Sequence, residues 1–296
     1  MAFMDKLKVL WGKAFVGGEW KVGYRLRNEP HGQYCLVDTP AGTWAADPFL
    51  YEANGEHYLF VELYEEKKNK ACIAYYRFID GVPVYQDKII DQPYHMSYPC
   101  VFEYNGEHYM IPETSANQSI DLYRATEFPK KWDKVETLLS GARYVDTTVL
   151  SHGNRTYAMS YRKITEGWEL CIFALDLLRR KMTLVASKHY TENTGRPAGH
   201  VEVQDKFIRP TQDCHRKYGE ALIINEIDEF DELSFEEHEI RRITANEIVI
   251  NGVQVDRIHT WNIDSTYCVL DVFSEKFDLF HGIKIFRRAV LSRLSS

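Results

Sequence analysis

Over most of the chain, apolar and polar positions alternate with a period of two, as in residues 71–78 and 169–175, the pattern of half-buried strands. Turn signals break this alternation. The pentapeptide Asn-Gly-Glu-His-Tyr occurs at 54–58 and again at 105–109, 51 residues apart, and the match extends from 51–62 onto 102–113. Asn-Gly accepts the positive φ angles of tight hairpins, so each copy predicts strand, two-residue turn and strand. Further turns fall at His152-Gly153-Asn154, at Gln204-Asp205 and near Ile263-Asp264-Ser265. A hairpin period of roughly 50 residues predicts the blades of a β-propeller.

Helical spacing is confined to the two ends. Phe3, Leu7, Leu10, Trp11 and Phe15 form one stripe, and Ile283, Phe286, Val290, Leu291 and Leu294 form another, bordered by Lys284, Arg287, Arg288 and Arg293. The expected fold is all-β, a five-bladed β-propeller with short amphipathic helices at the N- and C-termini. One domain spans 1–296, with blades at roughly 40–90, 91–140, 141–190, 191–245 and 246–280 and with 1–39 packing against or closing the ring. The basic C-terminal stripe either packs on the domain or lies on an anionic membrane surface.

Composition narrows the partners. A net charge of −7 argues against a nucleic-acid surface. Six scattered cysteines without a C-x-x-C pair predict reduced thiols rather than a disulfide framework or zinc site. Lys6, Lys8 and Lys13 interrupt any signal-like apolar run, and no run approaches the ~20 residues that span a bilayer. These features predict a cytoplasmic protein, peripheral at the inner membrane face if the C-terminal stripe binds lipid.

In a propeller the innermost strands line a shared funnel, so the segments just before each hairpin converge. Here they carry Asp47, His95 and Tyr98, Asp146, Arg196 and His200, and His259. Polar groups ahead of apolar strands are costly in a dry core, which predicts a wet axial pocket. Asp47 and Asp146 hold near-equivalent places in blades one and three. Two carboxylates facing one funnel are the minimum for glycosidic-bond chemistry, although an Asp at a strand start also serves as an acceptor for backbone N–H groups. Glu113, after Pro112, is the candidate proton donor, and Glu62 is its repeat mate. Arg196, Arg209, Gln212 and Tyr218 belong to the densest polar stretch, where converging arginines suit phosphate or a sugar-acid carboxylate; a salt-bridge network closing the ring is the other use of the same residues. His95, His200 and His259 could ligate a metal but lack metal-site spacing, so neither a metal nor a cofactor is expected. No nucleotide-binding glycine motif or serine-hydrolase elbow is present.

Trp44-Ala-Ala-Asp-Pro-Phe-Leu50, His95-Met-Ser-Tyr-Pro99, Met110-Ile-Pro-Glu-Thr114, Leu122-Tyr-Arg124, Phe128-Pro with Trp132, Asp146-Thr-Thr148, Arg196-Pro-Ala-Gly199 and Arg209-Pro-Thr-Gln-Asp-Cys214 with Tyr218-Gly219 form an ordered series. It resembles the N-terminal domain of plant glucosamine inositolphosphorylceramide transferases and bacterial relatives, which is similar to the five-bladed propeller of family 43 glycoside hydrolases. The resemblance runs over roughly Trp20 to Phe273. It implies work on carbohydrates, with Asp47 in the place of the hydrolases' base and Asp146 in that of their pKa-modulating Asp. Where those hydrolases carry a Glu acid, this chain has Arg196-Pro-Ala-Gly199. A phosphate leaving group needs little protonation, so the expected activity is glycosyl transfer in surface-polysaccharide or glycolipid assembly, from a sugar phosphate or nucleotide sugar, with Asp47 as base and Arg196 and Arg209 on the donor phosphate. A lipid-linked acceptor fits the basic C-terminal stripe. Two alternatives stay open: a family 43-like glycoside hydrolase using Asp47, Asp146 and Glu113, and a non-catalytic glycan-binding propeller.

Overall fold

A computed structural model describes residues 16–277, apart from 30–32, 204, 231–233, 251 and 254, together with residue 282. Both predicted terminal helices lie outside the described residues. The described chain forms five antiparallel sheets around one axis, a five-bladed β-propeller.

Blade one is β3 (Thr43–Ala53), β4 (Glu56–Glu65), β5 (Lys70–Ile79) and β6 (Val82–Ile90). Blade two is β7 (Ser97–Tyr104), β8 (Glu107–Thr114), β9 (Ser119–Glu127) and β10 (Lys131–Ser140). Blade three is β11 (Val145–His152), β12 (Arg155–Ile164), β13 (Gly167–Asp176) and β14 (Lys181–Tyr190). In blade four the inner strand is broken into β15 (Arg196–Pro197) and β16 (Glu202–Val203), both paired with β17 (Phe207–Asp213), and β18 (Ala221–Phe230) and β19 (Phe235–Thr244) follow. Blade five joins the two ends of the chain. Its inner strands are β20 (Arg257–Ile263) and β21 (Tyr267–Phe277), and its outer strands are β1 (Val16–Leu26) and β2 (Cys35–Leu36). β1 runs antiparallel to β21 over its full length, from Val16 opposite Phe277 to Leu26 opposite Tyr267.

The repeated pentapeptides form the hairpin turns expected of them. Asn54 and Gly55 have φ of 54° and 73°, and Asn105 and Gly106 have 53° and 77°. Positive φ at both central residues matches the turn to the right-handed twist of its strands. Apolar side chains pack between neighbouring blades, with Phe49, Phe60, Tyr98 and Trp132 in the largest cluster.

One backbone irregularity recurs at the axis. Strand register slips at Asp47-Pro48 in β3, Tyr98-Pro99 in β7, Asp146-Thr147 in β11 and His259-Thr260 in β20. Asp47, Tyr98 and Asp146 take φ of 46°, 46° and 51° there. Such bulges re-aim side chains beside active sites, and left-handed non-glycine residues persist only where surroundings hold them. In blade four the break between β15 and β16 takes this place, with Gly199 at φ 140°. A Cβ at Gly199 would meet the Trp261 carbonyl oxygen at 2.1 Å, which only glycine avoids.

Candidate active site

The bulges bring chemically active side chains to the axis near the N-terminal ends of the inner strands. Asp47 and Asp146, already candidates from sequence, are both buried. The Asp47 Oδ1 accepts from the Thr260 hydroxyl at 2.7 Å, and its Oδ2 accepts from the Tyr98 backbone N–H at 3.2 Å. It therefore fills the structural use foreseen for a strand-start Asp while facing the axis.

Behind Asp47 stands a buried carboxylate that sequence reasoning missed, Asp271 of β21. It accepts backbone N–H groups from Asp47 at 2.9 Å, His259 at 3.1 Å and Thr260 at 2.9 Å. The His259 Nδ1 lies 2.6 Å from its Oδ2, and the His259 Nε2 lies 3.6 Å from the Asp47 Oδ1. The imidazole thus bridges two carboxylates. Its available signal was a lone charge inside the apolar run Cys268-Val-Leu-Asp-Val272. Burial alone would lower the pKa of His259, but Asp271 and Asp47 more than offset it and raise it to about 9. Asp47 is pushed up to about 7, chiefly by burial; the His259 charge opposes this, while Glu62, Asp146 and Asp271 add to it. Trp20 of β1 stacks on His259 with centroids 4.0 Å apart, and Tyr218 meets the same ring edge-on at 5.1 Å.

The other half of the axis is an ion-pair cluster. Arg196 grips Asp146 through Nε and, at 3.2 Å, through Nη2, and its guanidinium sits over Tyr218 at 5.4 Å. Gln212 donates to the Asp146 Oδ2 at 2.8 Å and to the Pro197 carbonyl at 2.9 Å. Glu113 approaches from blade two: its Oε2 lies 3.6 Å from the Arg196 Nη2 and accepts the Asp146 N–H at 3.3 Å, and its Oε1 accepts the Ser115 hydroxyl at 2.6 Å. Burial, then the Asp146 charge, hold the Glu113 carboxyl well above the usual range against the opposing pull of Arg196. Through Arg196, Tyr218 and His259 an unbroken line of contacts joins Asp146 to Asp47.

The remaining candidates are placed elsewhere. His95 is paired with Glu62 at 3.1 Å beside the axis and is partly exposed. Tyr98 plugs the axis itself, its hydroxyl 2.7 Å from both the Thr148 hydroxyl and the Gly199 N–H. His200 faces the opposite end, where it lines a cavity of about 310 Å³ with Tyr51 and Trp261; burial lowers its pKa to about 4. Arg209 is enclosed in blade four, where Nε meets Glu237 at 2.7 Å and Nη2 meets it at 2.5 Å. Of the two arginines assigned to a donor phosphate, the structure brings only Arg196 to the carboxylates.

Asp47, His259 and Asp271 hold their ligating atoms within 4.8 Å of one another, the donor set on the axis best suited to a metal. Those same atoms form the hydrogen-bond network just described. All six cysteines are unpaired thiols, and four of them are buried.

Comparison with known proteins gives a consistent picture. The family described as Glucosamine inositolphosphorylceramide transferase 1, N-terminal, matches residues 36–269. The protein named Glucosamine inositolphosphorylceramide transferase 1 from Arabidopsis thaliana is 28% identical over 221 residues, 70% of this chain and 29% of that protein. Its namesake from Oryza sativa subsp. indica is 25% identical over 218 residues, covering 69% and 29%. The chain thus spans about three tenths of the length of these curated relatives. Among solved structures, the α-L-arabinofuranosidase PaAbf62A of Podospora anserina superposes with a TM-score of 0.58 at 13% identity, covering 77% of this chain and 80% of that one. A thermostable family-43 glycoside hydrolase gives 0.58 at 11% identity, covering 81% and 92%. These two likenesses concern the fold.

Proposed function

Because the chain belongs to the glucosamine inositolphosphorylceramide transferase 1 N-terminal family, we propose that it is a carbohydrate-active enzyme that transfers a sugar from a phosphate-activated donor. The observation that carries this reading is Arg196 on the axis, facing Asp47 across Tyr218 and His259. A guanidinium keeps its proton throughout the working pH range, so it cannot protonate a departing alcohol, but it pairs well with a departing phosphate. The Arg196 Nη1 has no protein acceptor among the described residues and is available to such an oxygen.

In this reading an acceptor hydroxyl attacks the anomeric carbon, Asp47 takes the hydroxyl proton, and the bond to the phosphate oxygen breaks with its electron pair leaving on the phosphate. A base whose pKa is near neutrality suits that role. His259 holds Asp47 in place, and Asp146 with Gln212 orients Arg196. The relatives are named for glucosamine and inositolphosphorylceramide, so an amino-sugar donor and a phosphoinositol lipid acceptor are the first pair to assay.

The test is sugar transfer from nucleotide sugars and sugar phosphates by the wild type and by Asp47→Asn. Loss of a general base should lower turnover by about 10²–10⁴-fold, and undiminished transfer by the variant would remove Asp47 from this role. One observation favours a second reading: the Glu113 carboxyl, whose pKa is raised by burial and by the Asp146 charge, sits beside the same cluster. A glycoside hydrolase using it as acid would release sugar from aryl glycosides without a phosphorylated donor, and Glu113→Gln would abolish that release.

A further inference from the structure

Beside the axial site, between blades five and one, lies a separate cleft of about 280 Å³ lined by Trp20, Asp38, Thr39, Thr43 and Trp44, with Glu19 and Lys21 at its rim. It shares a wall with the candidate active site, since Trp20 also stacks on His259, and Trp44 lies three residues before Asp47 on β3. Trp44 itself is fixed by stacking on Tyr64, with centroids 4.5 Å apart and planes 11° from parallel.

The lining specifies the chemistry of the occupant. Trp44 is half-buried, with one face stacked on Tyr64, and is the indole a ligand can reach, while Trp20 is buried and forms the cleft's inner wall; neither indole N–H has a hydrogen-bond partner among the described residues. Asp38 is exposed and makes no hydrogen bond or ion pair among the described residues, so its carboxylate is a free acceptor. The Thr39 and Thr43 hydroxyls donate to the carbonyls of Thr43 and Pro40, which leaves their oxygens as acceptors too. Among the described residues, the cations at the rim, Lys21 at 3.4 Å and Lys276 at 2.9 Å, are both paired with Glu19. Among the described residues a phosphate would meet the open Asp38 carboxylate and only lysines already held by Glu19. A ring with an apolar face and several hydroxyl donors meets what the cleft supplies.

We propose that this cleft is a second sugar subsite, holding one pyranose ring next to the ring that is processed at Asp47. The proposal rests on the carbohydrate reading of the axial site for the identity of the ligand, but its test reads binding rather than turnover. Saturation-transfer NMR with D-glucose as the probe, on the full chain, separates the two. Wild type and Asp47→Asn should both saturate the glucose ring protons, whereas Trp44→Ala and Asp38→Ala should each weaken that saturation several-fold, and Trp44→Phe should restore much of it. Asp38 is exposed, so its variant reports on the cleft even if Trp44→Ala fails to fold. Saturation unaffected by Asp38→Ala and by any folded Trp44 variant, or lost in Asp47→Asn alone, would overturn the proposal. A protein that shows the expected pattern yet transfers no sugar would retain the subsite and lose the transferase reading instead.

Discussion

At the scale of single residues, His259 and Asp47 behave as one titrating unit. Both bind protons more tightly in the folded protein than in the unfolded chain, where His titrates near ~6.5 and Asp near ~3.9. Linkage then fixes the sign. Asp47, raised to about 7, removes stability as pH climbs from the unfolded Asp value through about 7. His259, raised to about 9, contributes stability that is complete below its unfolded value and is lost as pH climbs through about 9. Urea-unfolding free energies should therefore fall between pH 6 and 9.5, and His259→Gln should flatten the upper part of that fall; an equal slope in the variant would show that the imidazole is not the group concerned. The same pair sets a rate profile. The imidazolium lowers the pKa of Asp47, so removing it should move the ascending limb of activity to higher pH. Of these residues, Asp47 and His259 were legible as polar groups opening apolar strands. Asp271 was not, because it sits inside an apolar strand whose pattern reads as core, and only the fold shows the four N–H groups that justify its burial.

At the scale of the strand, Arg209 was expected on the donor phosphate beside Arg196, and the structure turns it onto Glu237 instead. Asp146 sits where a bulge turns the side chain to the axis, and Arg196 sits on β15, ahead of the break in blade four's inner strand, whereas Arg209 is on β17, one strand out, and turns into the blade. Alternation fixes only that a residue lies on one of two faces; which face meets the funnel depends on bulges that no short pattern encodes. Enclosure has an energetic consequence. The Arg209 and Glu237 side chains are 1% and 4% exposed, and burial would raise the Glu237 pKa were it not held down by Arg209. Removing one partner of a buried pair strands the other charge, at a cost of about 3–5 kcal/mol. Arg209→Met should thus lower the unfolding free energy by about that amount, measured in urea, while sugar-phosphate binding by the folded fraction stays at the wild-type level. A variant of unchanged stability that no longer binds the phosphate would return Arg209 to the ligand.

At the scale of the whole molecule, four blades announce themselves because each is built from neighbouring strands joined by short turns, and the Asn-Gly hairpins mark their period. The fifth is different. Its outer half comes from β1 and β2 and its inner half from β20 and β21, so the pairing that closes the ring joins residues more than 200 positions apart. Nothing local in 16–26 discloses that partner, and the Gly17-Gly18 pair weakens the strand signal there. Closure by such a strand ties the last blade to the first part of the chain and removes an open sheet edge. It also carries Trp20 over His259, so ring closure and the shape of the active site depend on one strand. A chain beginning at Arg27 should therefore expose the β21 edge, lose its single cooperative thermal transition and bind no sugar, and a synthetic peptide of residues 16–26 added in trans should restore part of both by re-forming the antiparallel ladder. A truncated chain that melts in one transition at the wild-type temperature would mean that the ring holds together through blade contacts alone.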